Sequence, residues 1–289
     1  MYKRRVKKNK RIMLILICLS FMGGVIFKAW ASTEEKVNIK NEQIKMEEEK
    51  KKLEEEQRKI EDEKKKNVVG VKIESEGVSY DAKKVAEKLN KYDNSNDGKK
   101  IVFLTFDDGT STTVTPEILN ILKEENVKAT FFLTGENIDR GGEKSRNLVK
   151  QEFNEGHAIA NHSYSHDYNK LYPNRILDIE AFKKDFDKTD IMLKEILGEN
   201  FSTRVIRCPG GYMSWKGMNK LDEYLKEKDM VSIDWNALNG DAEGKRKNAE
   251  ELKNYAIKES VGKEIVVLLM HDTYGKEETA KPNLSLIHI

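Results

Sequence analysis

Cysteine is nearly absent: the 289-residue chain has two, Cys18 within an apolar run near the N-terminus and Cys208 within Arg207-Cys208-Pro209-Gly210-Gly211. Lying in such different segments they form no useful bridge, so the fold must rest on its core and on any metal it holds. Charge of one sign is lacking too, since 52 Lys and Arg face 50 Asp and Glu for a net +2. Without a basic patch interleaved with aromatics, nothing in the sequence points to nucleic acid as a partner. The apolar run Ile12–Phe27 has sixteen residues, broken by Ser20 and a Gly pair, and is short for a membrane span, which needs about twenty.

Seven Lys or Arg and no acid occupy the eleven residues before that run, the signature of an export signal. Ala29-Trp30-Ala31 reads as a cleavage site, whereas Lys28 and Trp30 could sit at a membrane interface. Residues 1–31 are therefore expected to be a cleaved signal peptide or an N-terminal membrane anchor, with the chain facing outward from about residue 32. Leaving out the first eleven residues, 45 basic residues face 50 acidic ones, so the exported part is slightly acidic.

Neither Pro nor Gly occurs in residues 34–66, which are dominated by Glu and Lys. Pairs such as Glu47/Lys51, Glu48/Lys52, Glu55/Lys59 and Glu61/Lys65 have the favourable i,i+4 orientation of a solvated helix. Ile39, Met46, Leu53 and Ile60 recur every seven residues, but the other core position of each heptad is Glu. The seam is half of a coiled coil, so residues 32–66 are read as a single helical stalk rather than a weak dimer. Residues 67–98 read as a linker with an alternating stretch at Val69–Ile73 and a small amphipathic helix around Val85 and Leu89.

From Ile101 the pattern alternates strand and helix, with strands at Ile101–Phe106, Ala129–Leu133, His157–Asn161, Arg204–Ile206, Met230–Ile233 and Ile265–Met270. Thr115 is placed to cap a helix that starts at Pro116, and further helices are expected near 145–155, 176–198, 215–227 and 248–260. Such alternation predicts a parallel sheet with its active site at the carboxyl ends of the strands. Chemistry-bearing residues fall at those ends. Asp107 and Asp108 close the first strand in Thr105-Phe106-Asp107-Asp108-Gly109, and His162 and His166 follow in His162-Ser163-Tyr164-Ser165-His166. One carboxylate, Asp108, with two imidazoles suits zinc and leaves a coordination position open. Asp107 is then free to act as a base.

Downstream come Arg207-Cys208-Pro209-Gly210-Gly211, Asp234-Trp235-Asn236-Ala237-Leu238-Asn239-Gly240-Asp241, and His271-Asp272 after a strand. With all five motifs in order, the chain resembles the polysaccharide deacetylases with a NodB homology domain, carbohydrate esterase family 4, over residues 99–283. The resemblance implies an α/β fold, a distorted (β/α) barrel of about seven strands, preceded by the membrane or signal segment and the charged stalk. It implies that Asp107 is the general base oriented by Arg207, that Asp108, His162 and His166 hold a divalent ion, most simply Zn2+ with Co2+ an alternative, and that His271 is the general acid tuned by Asp241. The Gly210 N–H would serve the oxyanion and Trp235 would line the substrate. Asp234 is a rival to Asp241, ranked second on spacing.

Two departures stand out. Gly210 replaces the aromatic that commonly follows the proline of the third motif, and Ala242 stands where a second tryptophan is usual, which predicts a more open groove. The expected substrate is peptidoglycan N-acetylglucosamine, with N-acetylmuramic acid, chitin-like oligomers or exopolysaccharide as alternatives, and an inactive wall-binding scaffold as the reading of a different class. The catalytic domain is expected to be cut short at its C-terminus, because Leu284–Ile289 has the sequence of a translated adapter end from sequencing libraries and reads as a non-native tail.

Overall fold

The computed structural model describes residues 33–66, 68–72, 75, 77, 79–273 and 279. The expected export segment and the expected non-native tail lie outside these residues. Among the described residues no helix is long and apolar enough to cross a membrane.

Thr33–Lys66 is one helix of 34 residues, α1, about 50 Å long at 1.5 Å per residue. Of the expected i,i+4 pairs, Glu47 and Lys51 stand 3.7 Å apart; Lys50 and Glu54, a pair in the reverse orientation that was not among them, stand 3.8 Å apart. Both are exposed and worth only a few tenths of a kcal/mol. This helix and the residues from 67 onward belong to two separate compact units.

The second unit opens with β1 (Val68–Val69) and α2 (Ala82–Asn90), the latter capped by Asp81, whose side chain accepts from the Lys83 N–H. Next come β2 (Ile101–Asp107), α3 (Val114–Glu124), β3 (Thr130–Leu133), α4 (Gly135–Asn154), β4 (Ala158–Asn161), α5 (Tyr168–Leu171) and α6 (Ile179–Leu197). The chain continues through β5 (Phe201–Ser202), β6 (Val205–Ile206), α7 (Asn219–Glu227), β7 (Val231–Ser232), β8 (Ala237–Leu238), α8 (Ala249–Ser260) and β9 (Ile265–His271). Among the described residues β1 pairs with β5 alone, and the other seven strands form one parallel sheet in the order β7-β6-β4-β3-β2-β9-β8.

That order requires a curled sheet. The edge strands β7 and β8 are joined by Ile233–Asn236, so Ser232 and Ala237 can be at most about 18 Å apart. The edges of a flat seven-stranded sheet would stand about 29 Å apart. The result is a curled half-barrel. Side chains alternate between its two faces, as strand geometry requires. Phe106, Phe131, Leu133, Leu268 and Met270 face one way and pack with Ile118, Leu119, Leu122 and Val149 of the surrounding helices. Phe132, Ala160 and Val267 point to the other face, where they meet Ala86 of α2 and Ile233.

Several elements differ from the sequence expectation. α3 starts at Val114, not Pro116, because the Ser111 hydroxyl accepts from the Val114 N–H at 3.1 Å. Pro116 still falls in the first turn, where its missing N–H costs nothing, and Thr115 turns inward instead. α4 runs over twenty residues rather than starting near 145, with a break at Gly142, whose φ of 57° and ψ of −139° leave the helical region. The seventh strand of the sheet, β8, was not among the strands read from the sequence: two residues are too few for a periodic signal.

Candidate active site

β2 ends in Asp107, with Asp108 the next residue, and β9, its neighbour, ends in His271. Their register pairs Asp107 with His271, so both side chains leave the same face of the sheet. Arg207, just past β6, reaches them from three strands away. Its Nη1 donates to Asp107 Oδ1 at 2.6 Å and to Thr105 Oγ1 at 2.9 Å, and its Nε donates to the Ile233 carbonyl at 2.8 Å. Three strand spacings on a flat sheet would be about 14 Å, beyond the reach of one side chain, so this face is the concave one. The guanidinium is fully buried and lies 3.9 Å from the Phe132 ring centroid. Burial pushes the Asp107 carboxyl above its usual range, while the charges of Arg207 and His271 pull the other way.

His162 and His166 sit on a loop after β4 rather than on a helix face. Their convergence depends on backbone in the left-handed region, at Ser163 (φ 74°) and His166 (φ 51°), matched by Asp108 (φ 70°) on the facing loop. Such conformations persist only where the surroundings fix them. Here Asp185 accepts from the Tyr164 and Ser165 N–H groups at 2.7 and 2.9 Å. The Asp108 carbonyl accepts from Asn137 Nδ2 at 2.7 Å and Thr134 Oγ1 at 3.0 Å. None of Asp185, Asn137 and Thr134 was singled out from the sequence, because each supports a backbone that has no signature of its own.

The Asp108, His162 and His166 donor atoms lie within 4.8 Å of one another. Asp108 Oδ1 is 3.6 Å from His162 Nε2 and 3.5 Å from His166 Nε2, and it is buried without a hydrogen-bond partner. Ligands bound about 2.1 Å from a tetrahedral ion lie ~3.4 Å apart, so spacing, donor set and orphaned oxygen all fit a divalent ion. His162 Nδ1 lies 2.8 Å from the Arg207 carbonyl; donating there leaves the Nε2 lone pair for the ion. Burial, and then the proximity of His166, hold the His162 pKa at about 3, so its ring is neutral as a ligand must be.

His271 is the opposite case. Burial would lower its pKa, but the hydrogen bond from Nδ1 to Asp241 Oδ1 at 2.7 Å and the Asp241 charge raise it to about 9. Asp241 Oδ2 also accepts from the His271 N–H at 2.8 Å and from Thr279 Oγ1 at 2.7 Å. Burial would raise the Asp241 carboxyl, yet these bonds hold it below the usual range. The rival Asp234 has other partners: its carboxylate accepts from the Tyr212 N–H at 3.0 and 2.9 Å and also from the Met213 N–H. Trp235 packs where a Cβ on Gly211 would lie, 3.0 Å away, and its ring is 5.7 Å from the Arg207 guanidinium.

The expected open groove beside Gly210 is not what the structure has. A Cβ added at Gly210 would lie 3.0 Å from Trp215 Cζ2 and 3.3 Å from both Cζ and the hydroxyl of Tyr168. Two rings from elsewhere in the chain already fill that position. The sequence could not reveal this, because neither ring belongs to the motif whose aromatic is absent.

The sequence profile described as polysaccharide deacetylase matches residues 94–225. A CE4 esterase structure from Streptococcus mutans is 34% identical, covers 76% of this chain and 91% of its own, and superposes with a TM-score of 0.69. The chain belongs to the polysaccharide deacetylase family. Among curated members of that family, a peptidoglycan-N-acetylglucosamine deacetylase of Bacillus cereus is 35% identical over 181 residues, 61% of this chain and 58% of the relative. A peptidoglycan-N-acetylmuramic acid deacetylase of Bacillus subtilis is 38% identical over 80 residues, 28% of this chain and 29% of the relative. The chain thus spans little more than half of the first of these polysaccharide deacetylases and under a third of the second.

Proposed function

We propose that this chain removes N-acetyl groups from N-acetylglucosamine residues of peptidoglycan, in a reaction that depends on a divalent ion, zinc by donor type. One observation carries the reading: the Arg207–Asp107 pair, the Asp108/His162/His166 cluster and the His271–Asp241 pair gather at the carboxyl ends of the strands of one concave sheet. Asp108, His162 and His166 would hold the ion. When bound there, it polarises the amide carbonyl and makes water a better nucleophile.

The remaining steps belong to the chain's own residues. Asp107, oriented by Arg207, accepts a proton from the attacking water as the water oxygen bonds to the acetyl carbon. The Gly210 N–H is the donor offered to the carbonyl oxygen as it gains charge, and Trp235 lines the groove beside it. His271, with Nδ1 committed to Asp241, gives its Nε2 proton to the sugar nitrogen as the C–N bond breaks. Acetate and a free amine leave.

Peptidoglycan as substrate is supported by the curated relatives and by the export signature of residues 1–31. N-acetylmuramic acid is the second reading, favoured by the similarity to the Bacillus subtilis relative. The test is acetate release from purified peptidoglycan fragments, with mass spectrometry locating the free amine. Loss of acetyl from glucosamine supports the first reading; loss from muramic acid alone supports the second. No acetate from either, with the ion bound, sinks both.

A further inference from the structure

Four aromatic rings stand in a row beginning at the ion-binding cluster, and the reaction uses only the first. The His166 ring lies 5.3 Å from Tyr168, Tyr168 lies 5.2 Å from Trp215, and Trp215 stacks on the buried Tyr172 at 4.1 Å and 7°. Trp215 is fixed further by donating from Nε1 to the Pro209 carbonyl at 2.9 Å. Tyr168 is the exposed member, with 43% of its surface open, and its hydroxyl has no hydrogen-bond partner among the described residues. Both rings border Gly210, whose φ of 76° and lack of Cβ let them approach its backbone.

A half-buried phenol with a free polar tip matches a pyranose, which presents a sheet of C–H groups edged by hydroxyls. Because His166 and Trp215 flank the ring, little side-chain entropy remains to be lost on binding. We propose that Tyr168, backed by Trp215, is the sugar-stacking wall of the substrate groove, binding a pyranose ring of an N-acetylated glycan and offering its hydroxyl to a sugar oxygen. The proposal rests on the deacetylase reading for the nature of the ligand. It locates the groove wall in the segment after the histidine pair, not in the motif that carries Arg207.

The test measures binding apart from turnover. In the full chain loaded with zinc and carrying Asp107→Asn to halt hydrolysis, an N-acetylglucosamine pentasaccharide is titrated calorimetrically against Tyr168, Tyr168→Phe, Tyr168→Leu and Tyr168→Ala. Phe should keep most of the affinity, whereas Ala and Leu should weaken it about tenfold, which is about 1.4 kcal/mol. Leu keeps bulk without a flat face, so its loss at an unchanged melting temperature separates stacking from packing. Equal affinity across the series overturns the wall, as does absence of binding to the Asp107→Asn parent. In the active chain, KM should rise more than kcat falls in Tyr168→Leu. Acetate release with unaltered KM would overturn the wall alone; weakened binding in a chain that never releases acetate would overturn the deacetylase reading alone.

Discussion

Asp107 and His271 are register partners at the carboxyl ends of β2 and β9, and each is tied to a different oppositely charged group. Arg207 holds Asp107 and Asp241 holds His271. Pairing the strands therefore delivers a carboxylate and an imidazolium side by side on one face, while their separate partners keep the two from simply neutralising each other. Environments that set two neighbouring titratable groups to different tasks are what acid–base catalysis requires.

The aspartate pair should separate cleanly. Asp107→Asn removes the proton acceptor and leaves the Asp108/His162/His166 donors in place, so it should retain the ion and lose about 10²- to 10⁴-fold in turnover. Asp108→Asn and His162→Ala should lose the ion as well. Metal content by mass spectrometry beside acetate release decides this, and equal metal loss in Asp107→Asn and Asp108→Asn would refute the division.

The rate should fall on the alkaline side as His271 loses its proton. Its pKa is raised to about 9 by Asp241, so the acid is charged below that pH and spent above it. Asp241→Asn takes away the charge and leaves burial, which acts in the opposite direction, so the limb should move acidward. A pH profile of kcat with the limb unmoved would remove Asp241 from this role.

Much of this was legible in the sequence because the site residues sit at strand ends, where an apolar run marks the element and the polar residue after it stands out. Asp107, Asp108 and His271 are of that kind. Illegible were features created by tertiary contact: Asp185 under the histidine loop, β8 with two residues, and the Tyr168–Trp215 pair beside Gly210. Each depends on segments brought together by tertiary contact rather than on a local sequence pattern.

Arg207 should prove structural as well as functional. It is fully buried, and Arg207→Met would strand the Asp107 charge, a loss of about 3–5 kcal/mol for one partner of a buried pair. For a unit of this size that is a fall in melting temperature of roughly 6–20 °C. The His162 ring should keep its orientation, because it bonds to the Arg207 backbone carbonyl and not to the side chain. Calorimetry showing an unchanged melting temperature, or metal titration showing lost affinity in a folded variant, would contradict this account.

Asp234 provides the sharpest contrast with Asp241, since both are partly buried aspartates in one stretch of sequence. Asp234 accepts from the N–H groups of Tyr212 and Met213, two and three residues beyond Gly210, and so sets the loop on which the Gly210 N–H is carried. Asp234→Ala leaves those donors without their acceptor, a cost of about 1–3 kcal/mol. If the loop shifts, a donor to the oxyanion is misplaced, and kcat should fall by about 10²-fold. The alkaline limb should nevertheless stay near its wild-type position, because His271 keeps Asp241. A limb that moves acidward in Asp234→Ala as far as in Asp241→Asn would mean that Asp234, not Asp241, governs the acid.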